Sequence, residues 1–217
     1  MPEYQIQEEV EIRIGDKRLM GNLNLPAGAT GMVIFSHGSG SSRHSSRNRY
    51  VARVLEEEGL ATLLFDLLTE EEDSVYENRF DIPLLIRRLI SVTEWVQHQK
   101  ALQQLPLGFF GSSTGAASAL GAAAELGNTI KAVVSRGGRP DLAIPVLPKV
   151  TAPTLLLVGG LDGPVIGMNE EAYAELKSVR KLTIVPGATH LFEEPGKLEE
   201  VAHLAMQWFK EYLKKQE

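Results

Sequence analysis

Short apolar runs alternate with longer amphipathic segments along most of this chain of 217 residues. Largely apolar runs at residues 31–36, 61–66 and 105–111 are typical of strands that are covered on both faces. The segments between them have helical spacing, most clearly residues 81–97, which carry a proline in the first turn. The alternation predicts an α/β fold, in which a mostly parallel, twisted sheet has helices on both faces.

The same pattern predicts the other elements. The chain opens with a hairpin of two antiparallel strands, residues 10–14 and 18–25, around the turn Gly15-Asp16. Further buried strands are predicted over residues 131–135, 154–158 and 181–185, and further helices over residues 48–58, 114–126 and 198–213. A sheet of about eight strands and this chain length suit one domain over residues 1–217.

Composition excludes several classes of function. The net charge is −6 and no run of basic residues is longer than two, which argues against binding the phosphates of nucleic acids. The absence of cysteine excludes disulfides, zinc-thiolate sites and a cysteine nucleophile. The first ten residues are polar and acidic, unlike a signal peptide, and no apolar stretch approaches the ~20 residues of a membrane span. We expect a soluble, cytoplasmic monomer or homodimer without membrane partners.

The segment Gly111-Ser112-Ser113-Thr114-Gly115 lies between a predicted strand and a predicted helix. Ligand sites of such sheets lie beyond the carboxyl ends of the strands, and G-x-S-x-G in this setting forms a nucleophile elbow. The turn is so tight that a side chain at either flanking position would collide with neighbouring backbone. We therefore predict Ser113 as the nucleophile, since centring the motif on Ser112 would misplace both glycines. The alternative is a glycine-rich turn in which a serine only caps the helix.

A serine hydroxyl needs a base, and a histidine after the last strand is the expected one. His190 follows the strand 181–185, whereas the other four histidines are less well placed. Asp162 follows the strand 154–158 and gives the chain order Ser, Asp, His that is expected for this fold. Asp141 competes with Asp162, although we interpret Asp141 as a helix cap or an ion-pair partner.

Acyl transfer also needs N–H donors for the developing oxyanion. One predicted donor is the N–H of Thr114, the residue after the nucleophile. The second is predicted in the loop His37-Gly38-Ser39-Gly40, where the N–H of Ser39 is preferred and that of Gly40 comes second. Small residues in this loop allow its backbone to approach a substrate.

With these residues in place, the chain resembles the dienelactone hydrolase-like branch of the α/β-hydrolase superfamily. The likeness is strongest over residues 36–44, 110–115, 134–141 and 186–192. These segments are similar to a subgroup that also occurs joined to phosphoribosyltransferase domains, for which a chain of this length has no room. The resemblance implies the α/β-hydrolase fold and no metal or organic cofactor. Dienelactone hydrolases proper use cysteine where this chain has Ser113, which favours a general carboxylesterase or a related acyl hydrolase.

These observations predict a serine hydrolase that cleaves small carboxylic esters or lactones through an acyl-enzyme intermediate. Two alternatives remain open: an inert protein that uses the same pocket to bind a ligand, and an acyltransferase with the same triad. The segment 67–80 is acidic and lacks a clear period, so it forms either a small lid or a surface loop. It is too short for a large cap domain.

Arginines cluster in loops that should face the site. Arg43, Arg47 and Arg49 follow one strand, and Arg136 and Arg139 follow another. Because arginine binds carboxylate or phosphate through two parallel hydrogen bonds, we hypothesise that Arg43 or Arg136 contacts an anionic substrate. The alternative is that these arginines pair with the acidic residues 70–73 or with Asp66.

Overall fold

Eight strands form one sheet, in the order β1-β2-β4-β3-β5-β6-β7-β8, in a computed structural model that describes residues 2–214. The strands are β1 (Tyr4–Ile14), β2 (Lys17–Pro26), β3 (Gly31–Ser36), β4 (Leu60–Phe65), β5 (Leu107–Ser112), β6 (Ile130–Arg136), β7 (Thr154–Gly159) and β8 (Arg180–Val185). β2 runs antiparallel to both β1 and β4, and the other neighbouring strands are parallel. The predicted mostly parallel sheet of about eight strands is confirmed.

Helices cover both faces of this sheet. They are α1 (Ser46–Glu57), α2 (Glu70–Asp73), α3 (Ile82–Gln97), α4 (Thr114–Leu126), α5 (Gly163–Glu175) and α6 (Lys197–Tyr212). Residues Tyr76–Phe80, Gly127–Thr129 and Pro140–Lys149 form 3-10 turns. Helix α5 was not predicted, because Gly163, Pro164 and Gly167 interrupt its pattern. None of the helices within residues 2–214 is both long enough and apolar enough to cross a membrane.

The strand β3 shows why the apolar runs are continuous. Met32 and Ile34 point into one apolar layer, which includes side chains of α3, α4 and α5. Val33 and Phe35 point into a second layer on the opposite face, which α1 and α6 cover. Successive side chains of a strand point to opposite faces, so a strand that is covered on both sides is apolar at every position.

The connection between β4 and α3 contains α2 and one 3-10 turn and is not a large cap domain. Thr69 and Glu72 form a reciprocal capping box at the start of α2. The acidic residues of α2 pair locally, since Asp73 binds Arg79 at 2.8 Å and Glu72 binds Arg88. These two ion pairs tie the connection to itself and to α3.

Parallel strands bring the candidate residues to one edge of the sheet. β3, β5, β6, β7 and β8 all run in the same direction, so the loops that follow them meet at their carboxyl ends. These loops carry the oxyanion segment, the nucleophile motif, the predicted acid and the predicted base. In sheets of this kind a ligand crevice is expected there.

Candidate active site

Ser113 lies in a strained turn between β5 and α4. Its backbone has φ 51° and ψ −124°, a conformation that L-residues rarely adopt. A Cβ at Gly111 would lie 2.5 Å from the Ala116 Cα, and a Cβ at Gly115 would lie 2.1 Å from the Ser36 carbonyl oxygen. The two glycines are therefore required for steric reasons, as predicted. The turn has the shape of a nucleophile elbow.

Asp162 and His190 lie within hydrogen-bonding distance of each other. Asp162 lies between β7 and α5, and its Oδ2 accepts a hydrogen bond of 2.7 Å from the Nδ1 of His190 in the loop after β8. The Asp162 side chain is 13% exposed and that of His190 is 38% exposed. With its Nδ1 proton held by the carboxylate, the imidazole has Nε2 available as a base.

The loop that carries His190 is tied to the rest of the edge. The Leu161 N–H donates to the Ala188 carbonyl oxygen at 2.9 Å. The Glu194 carboxylate accepts from the Thr189 N–H at 3.1 Å and from the Thr189 hydroxyl at 2.6 Å. These bonds close the loop on both sides of the histidine. The sequence analysis did not identify Glu194. A carboxylate this close to the histidine in the sequence could have indicated a side chain that closes the loop.

The turn after β6 contacts both Ser113 and His190. The Ser113 N–H donates to the Arg136 carbonyl oxygen at 3.3 Å, and the Arg139 N–H donates to the Ser113 carbonyl oxygen at 3.0 Å. A Cβ at Gly137 would lie 3.5 Å from two atoms of the His190 ring. Residues 2–214 contain no hydrogen bond between the Ser113 hydroxyl and the His190 imidazole. Such bonds often form only when substrate is bound.

The loop after β3 lies directly against Ser113. A Cβ at Gly38 would lie 3.0 Å from the Ser113 Cβ. His37 fixes this loop, because its Nδ1 bonds the Gly38 carbonyl oxygen at 2.9 Å and its Nε2 accepts from the Leu67 N–H at 3.1 Å. Burial lowers the pKa of His37, which keeps the imidazole neutral and able to accept that bond.

The two predicted oxyanion donors lie side by side, but one of them is occupied. The Ser39 N–H donates to the Thr114 Oγ1 at 2.8 Å. The Thr114 N–H belongs to the first turn of α4, whose amides have no partner within the helix. The prediction that the Ser39 N–H directly faces the oxyanion therefore needs correction, because in this structure a side-chain oxygen holds it.

Arg43 is neutralised by two carboxylates. Its Nη1 lies 2.5 Å from the Asp66 Oδ2, its Nη2 lies 2.8 Å from the Glu9 Oε2, and its side chain is 14% exposed. The Arg43 N–H also donates to the Asp66 Oδ1 at 2.8 Å. Pairing with Asp66 was the alternative that the sequence left open for the arginines. It leaves Arg43 poorly suited to bind a substrate anion. Asp141, the competitor of Asp162, is likewise paired: both of its oxygens bind Arg139, at 2.9 and 2.8 Å.

Arg136 is buried without a carboxylate partner among the described residues. It is 6% exposed, and its Nη2 donates to the Asn48 Oδ1, 3.3 Å away, which also accepts from the Ser112 hydroxyl at 3.0 Å. Burial, together with the nearby charge of Arg47, lowers the Arg136 pKa to about 10. Arg47 itself pairs with Glu193 at 2.9 Å. No sequence signal distinguished Arg136 from Arg43.

Within residues 2–214, no group of three or more His, Cys, Asp or Glu side chains could hold a metal ion. The groups that meet at this edge are a strained serine, a histidine bonded to a carboxylate, and N–H donors at a helix start. Such a set can form and break a covalent acyl bond.

The elbow makes a testable prediction about stability. We expect Gly115→Ala to lower the free energy of unfolding by about 2 kcal/mol or more, because the new Cβ would meet backbone that cannot move aside. Gly167→Ala in α5 is the matched control, since no atom lies within 4 Å of the new Cβ. The free energy of unfolding of this control should rise by about 0.5–1 kcal/mol, because alanine has a higher helix propensity than glycine. Urea denaturation of both variants measures the difference, and equal effects would contradict the steric argument.

Comparison with known proteins supports the fold. No family model matches the chain. A solved dienelactone hydrolase from Anabaena variabilis ATCC 29413 is 56% identical, covers 98% of this chain and 100% of its own, and superposes with a TM-score of 0.94. The esterase Est1E from Butyrivibrio proteoclasticus is 18% identical over 94% of this chain and 98% of its own, with a TM-score of 0.81, and supports the fold alone.

Two curated relatives from Mycobacterium tuberculosis strains, each named "Putative phosphoribosyl transferase", are 56% identical over 206 residues. The match covers 95% of this chain and 46% of each relative, so the chain spans about half the length of these curated relatives. The full-length likeness to the Anabaena protein, together with the sheet and the elbow, shows the α/β-hydrolase fold. The chain belongs to the dienelactone hydrolase-like branch of the α/β-hydrolase superfamily.

Proposed function

We propose that this chain is a serine hydrolase that cleaves small carboxylic esters or lactones, with Ser113, Asp162 and His190 as its catalytic triad. The observation that carries the proposal is the 2.7 Å bond between Asp162 and His190, formed at the same sheet edge as the strained elbow. A histidine that is oriented by a carboxylate beside a strained serine is the arrangement that activates a hydroxyl nucleophile.

In the proposed reaction the Ser113 Oγ attacks the ester carbonyl carbon while the His190 Nε2 takes the hydroxyl proton. Asp162 stabilises the resulting imidazolium through the Nδ1–H bond. The tetrahedral intermediate collapses when its bond to the leaving oxygen breaks and His190 protonates that oxygen. Water then attacks the acyl-enzyme with His190 as base, and Ser113 recovers its proton. With a lactone, the released alcohol stays attached to the acyl chain.

The name of the Anabaena relative supports a lactone or a related ester as substrate. The phosphoribosyl transferase name belongs to relatives that extend well beyond the aligned region, so we do not propose that activity for this chain. The cytoplasmic location and the single-domain organisation remain expectations from the sequence.

We further propose that the substrate carries a negative charge, which Arg136 recognises. A buried guanidinium without a carboxylate partner is costly, and an anionic ligand would offset that cost. The Arg136 backbone bonds Ser113, so its side chain begins beside the nucleophile. Arg43 is already neutralised, which leaves Arg136 as the better candidate of the two.

The triad is tested with a fluorophosphonate probe and a chromogenic ester. We expect covalent labelling that requires Ser113, and we expect Ser113→Ala or His190→Ala to lower kcat by about 10³-fold or more with the fold intact. Asp162→Asn should lower kcat less than these two substitutions do, and Asp141→Asn should change kcat little.

Ser112→Ala is the matched control for Ser113→Ala, because it removes a neighbouring buried hydroxyl and should leave kcat within a few-fold. Parent-level activity in Ser113→Ala would refute the assignment. An unlabelled but folded parent would favour the ligand-binding alternative. Products that carry an added alcohol instead of water would favour an acyltransferase.

Arg136 is tested with two p-nitrophenyl esters of similar length, the neutral butyrate and the anionic hemisuccinate. We expect Arg136→Met to reduce kcat/KM for the anionic ester by about tenfold or more, since it removes a charge-assisted hydrogen bond. The neutral ester should be almost unaffected. The melting temperature should stay the same or rise, because the substitution removes a buried unpaired charge.

The matched control is Arg43→Met, which breaks two ion pairs. It should lower the melting temperature and leave unchanged the ratio of kcat/KM for the anionic ester to kcat/KM for the neutral ester. Two results would overturn the anionic-substrate proposal. One is a parent enzyme with equal kcat/KM for the two esters, and the other is an Arg136→Met variant in which the ratio of the two kcat/KM values is unchanged.

A further inference from the structure

The hydroxyl of Thr114 occupies an unusual position next to the nucleophile. Thr114 is the first residue of α4 and is 4% exposed. Its Oγ1 accepts the Ser39 N–H at 2.8 Å, although sequence order separates the two residues by 75 positions. A threonine within a helix often bonds a carbonyl of the preceding turn, but Thr114 has no preceding turn of α4 and reaches across to the loop after β3.

The Ser39 N–H is held in place from both sides of its loop. On one side the Gly38 backbone packs closely against Ser113, since a Cβ added at Gly38 would lie 3.0 Å from the Ser113 Cβ. On the other side His37 bonds both the Gly38 carbonyl oxygen and the Leu67 N–H. The direction of the Ser39 N–H is therefore set by the fold, and the Thr114 oxygen lies where it points.

A hydroxyl group has one proton to donate in addition to the lone pairs that accept. The Thr114 oxygen accepts from Ser39, and within residues 2–214 its proton has no acceptor. The hydroxyl and the N–H of one residue also lie close together. Two donors of Thr114, one from the backbone and one from the side chain, are thus available beside Ser113.

We propose that the Thr114 hydroxyl is a catalytic hydrogen-bond donor to the oxyanion, oriented by the Ser39 N–H. This inference rests on the proposed serine hydrolase function and deepens it. The Ser39 N–H donates to the Thr114 oxygen, and the Thr114 proton points to the negative oxygen of the tetrahedral intermediate. Ser39 then acts as a positioning residue and does not itself contact the oxyanion.

This arrangement suits the charge that develops during acyl transfer. A hydrogen bond from a hydroxyl to an anionic oxygen is short and strong. The hydroxyl becomes a better donor when it accepts a hydrogen bond itself, because bonds in a chain polarise one another. Burial of Thr114 strengthens the effect, since the local dielectric is low. No bond forms or breaks at Thr114, and its proton stays on its oxygen throughout.

The experiment compares Thr114→Val, which keeps the shape and removes the hydroxyl, with the control Thr114→Ser, which keeps a hydroxyl. We expect Thr114→Val to lower kcat on a p-nitrophenyl ester by about 10²-fold, as the loss of one oxyanion donor does, with KM changed little. Thr114→Ser should stay within a few-fold of the parent. Melting temperatures of both variants confirm that the fold is retained.

A second measurement separates a donor from a merely structural role. In a thionoester the carbonyl oxygen is replaced by sulfur, which accepts hydrogen bonds weakly. The parent should prefer the oxygen ester, and this preference should shrink in Thr114→Val, because the variant has lost a donor that only oxygen exploits. A structural disturbance of Ser113 would slow both substrates alike and leave the preference unchanged.

The outcomes distinguish this inference from the proposed function. If the parent is not labelled at Ser113 by the fluorophosphonate, the proposed function itself fails. If the parent is labelled and Thr114→Val matches or exceeds the parent kcat, only this inference fails. That result would mean that the hydroxyl blocks the site and that the released Ser39 N–H binds the oxyanion directly. A reduced kcat with an unchanged preference for oxygen over sulfur would also overturn it.

Discussion

The contact between the first turn of α4 and the end of β3 is the constraint on which the rest of the site depends. A Cβ at Gly115 would lie 2.1 Å from the Ser36 carbonyl oxygen, so the two backbones meet without an intervening side chain. This approach places the loop after β3 against Ser113 and lets the Ser39 N–H reach the Thr114 hydroxyl. A bulkier residue at the contact would move Ser113 away from the loop after β3, and the strained conformation of Ser113 would lose its support.

Electrostatics at the same edge follow from which charges are paired. The guanidinium of Arg43 is balanced by Asp66 and Glu9, and it therefore adds little to the field beyond its own surroundings. The guanidinium of Arg136 lacks such a carboxylate within the described residues and lies in a medium where charge is weakly screened. A buried charge of this kind is costly, and in the proposed function an anionic substrate would offset that cost. This contrast explains why two arginines with similar sequence contexts differ in their suitability for binding an anion.

Much of the fold could be predicted from the sequence, because the parallel strands are covered on both faces and their apolar runs are continuous. The edge strand β1 was predicted to begin at residue 10 but begins at Tyr4, because Glu8 and Glu9 interrupt the alternation that Tyr4 and Ile6 begin. Helix α5 was missed because its two glycines and its proline obscure helical periodicity.

The site was predictable where local motifs determine the geometry and was not predictable where contacts are distant. The elbow around Ser113 and the order of Asp162 and His190 follow from short motifs next to strands. The pairing of Arg43 with Glu9 and the bond between Ser39 and Thr114 join segments that are far apart in the chain. Such contacts depend on how loops pack, and neither periodicity nor spacing reports loop packing.

The three members of the proposed triad differ in how firmly they are held. Asp162 is largely buried between β7 and α5, and His190 is fixed through its Nδ1 and through a loop that is closed by Thr189 and Glu194. The backbone of Ser113 is clamped on both sides, but its hydroxyl turns about a single bond with three staggered positions. The proposed acid and base are thus held by contacts within the fold, whereas the Ser113 hydroxyl has no hydrogen bond to His190 within residues 2–214 and is the least constrained of the three reacting groups. In the proposed reaction the fold therefore orients the base before substrate binds, which is a part of catalysis that positioning can supply.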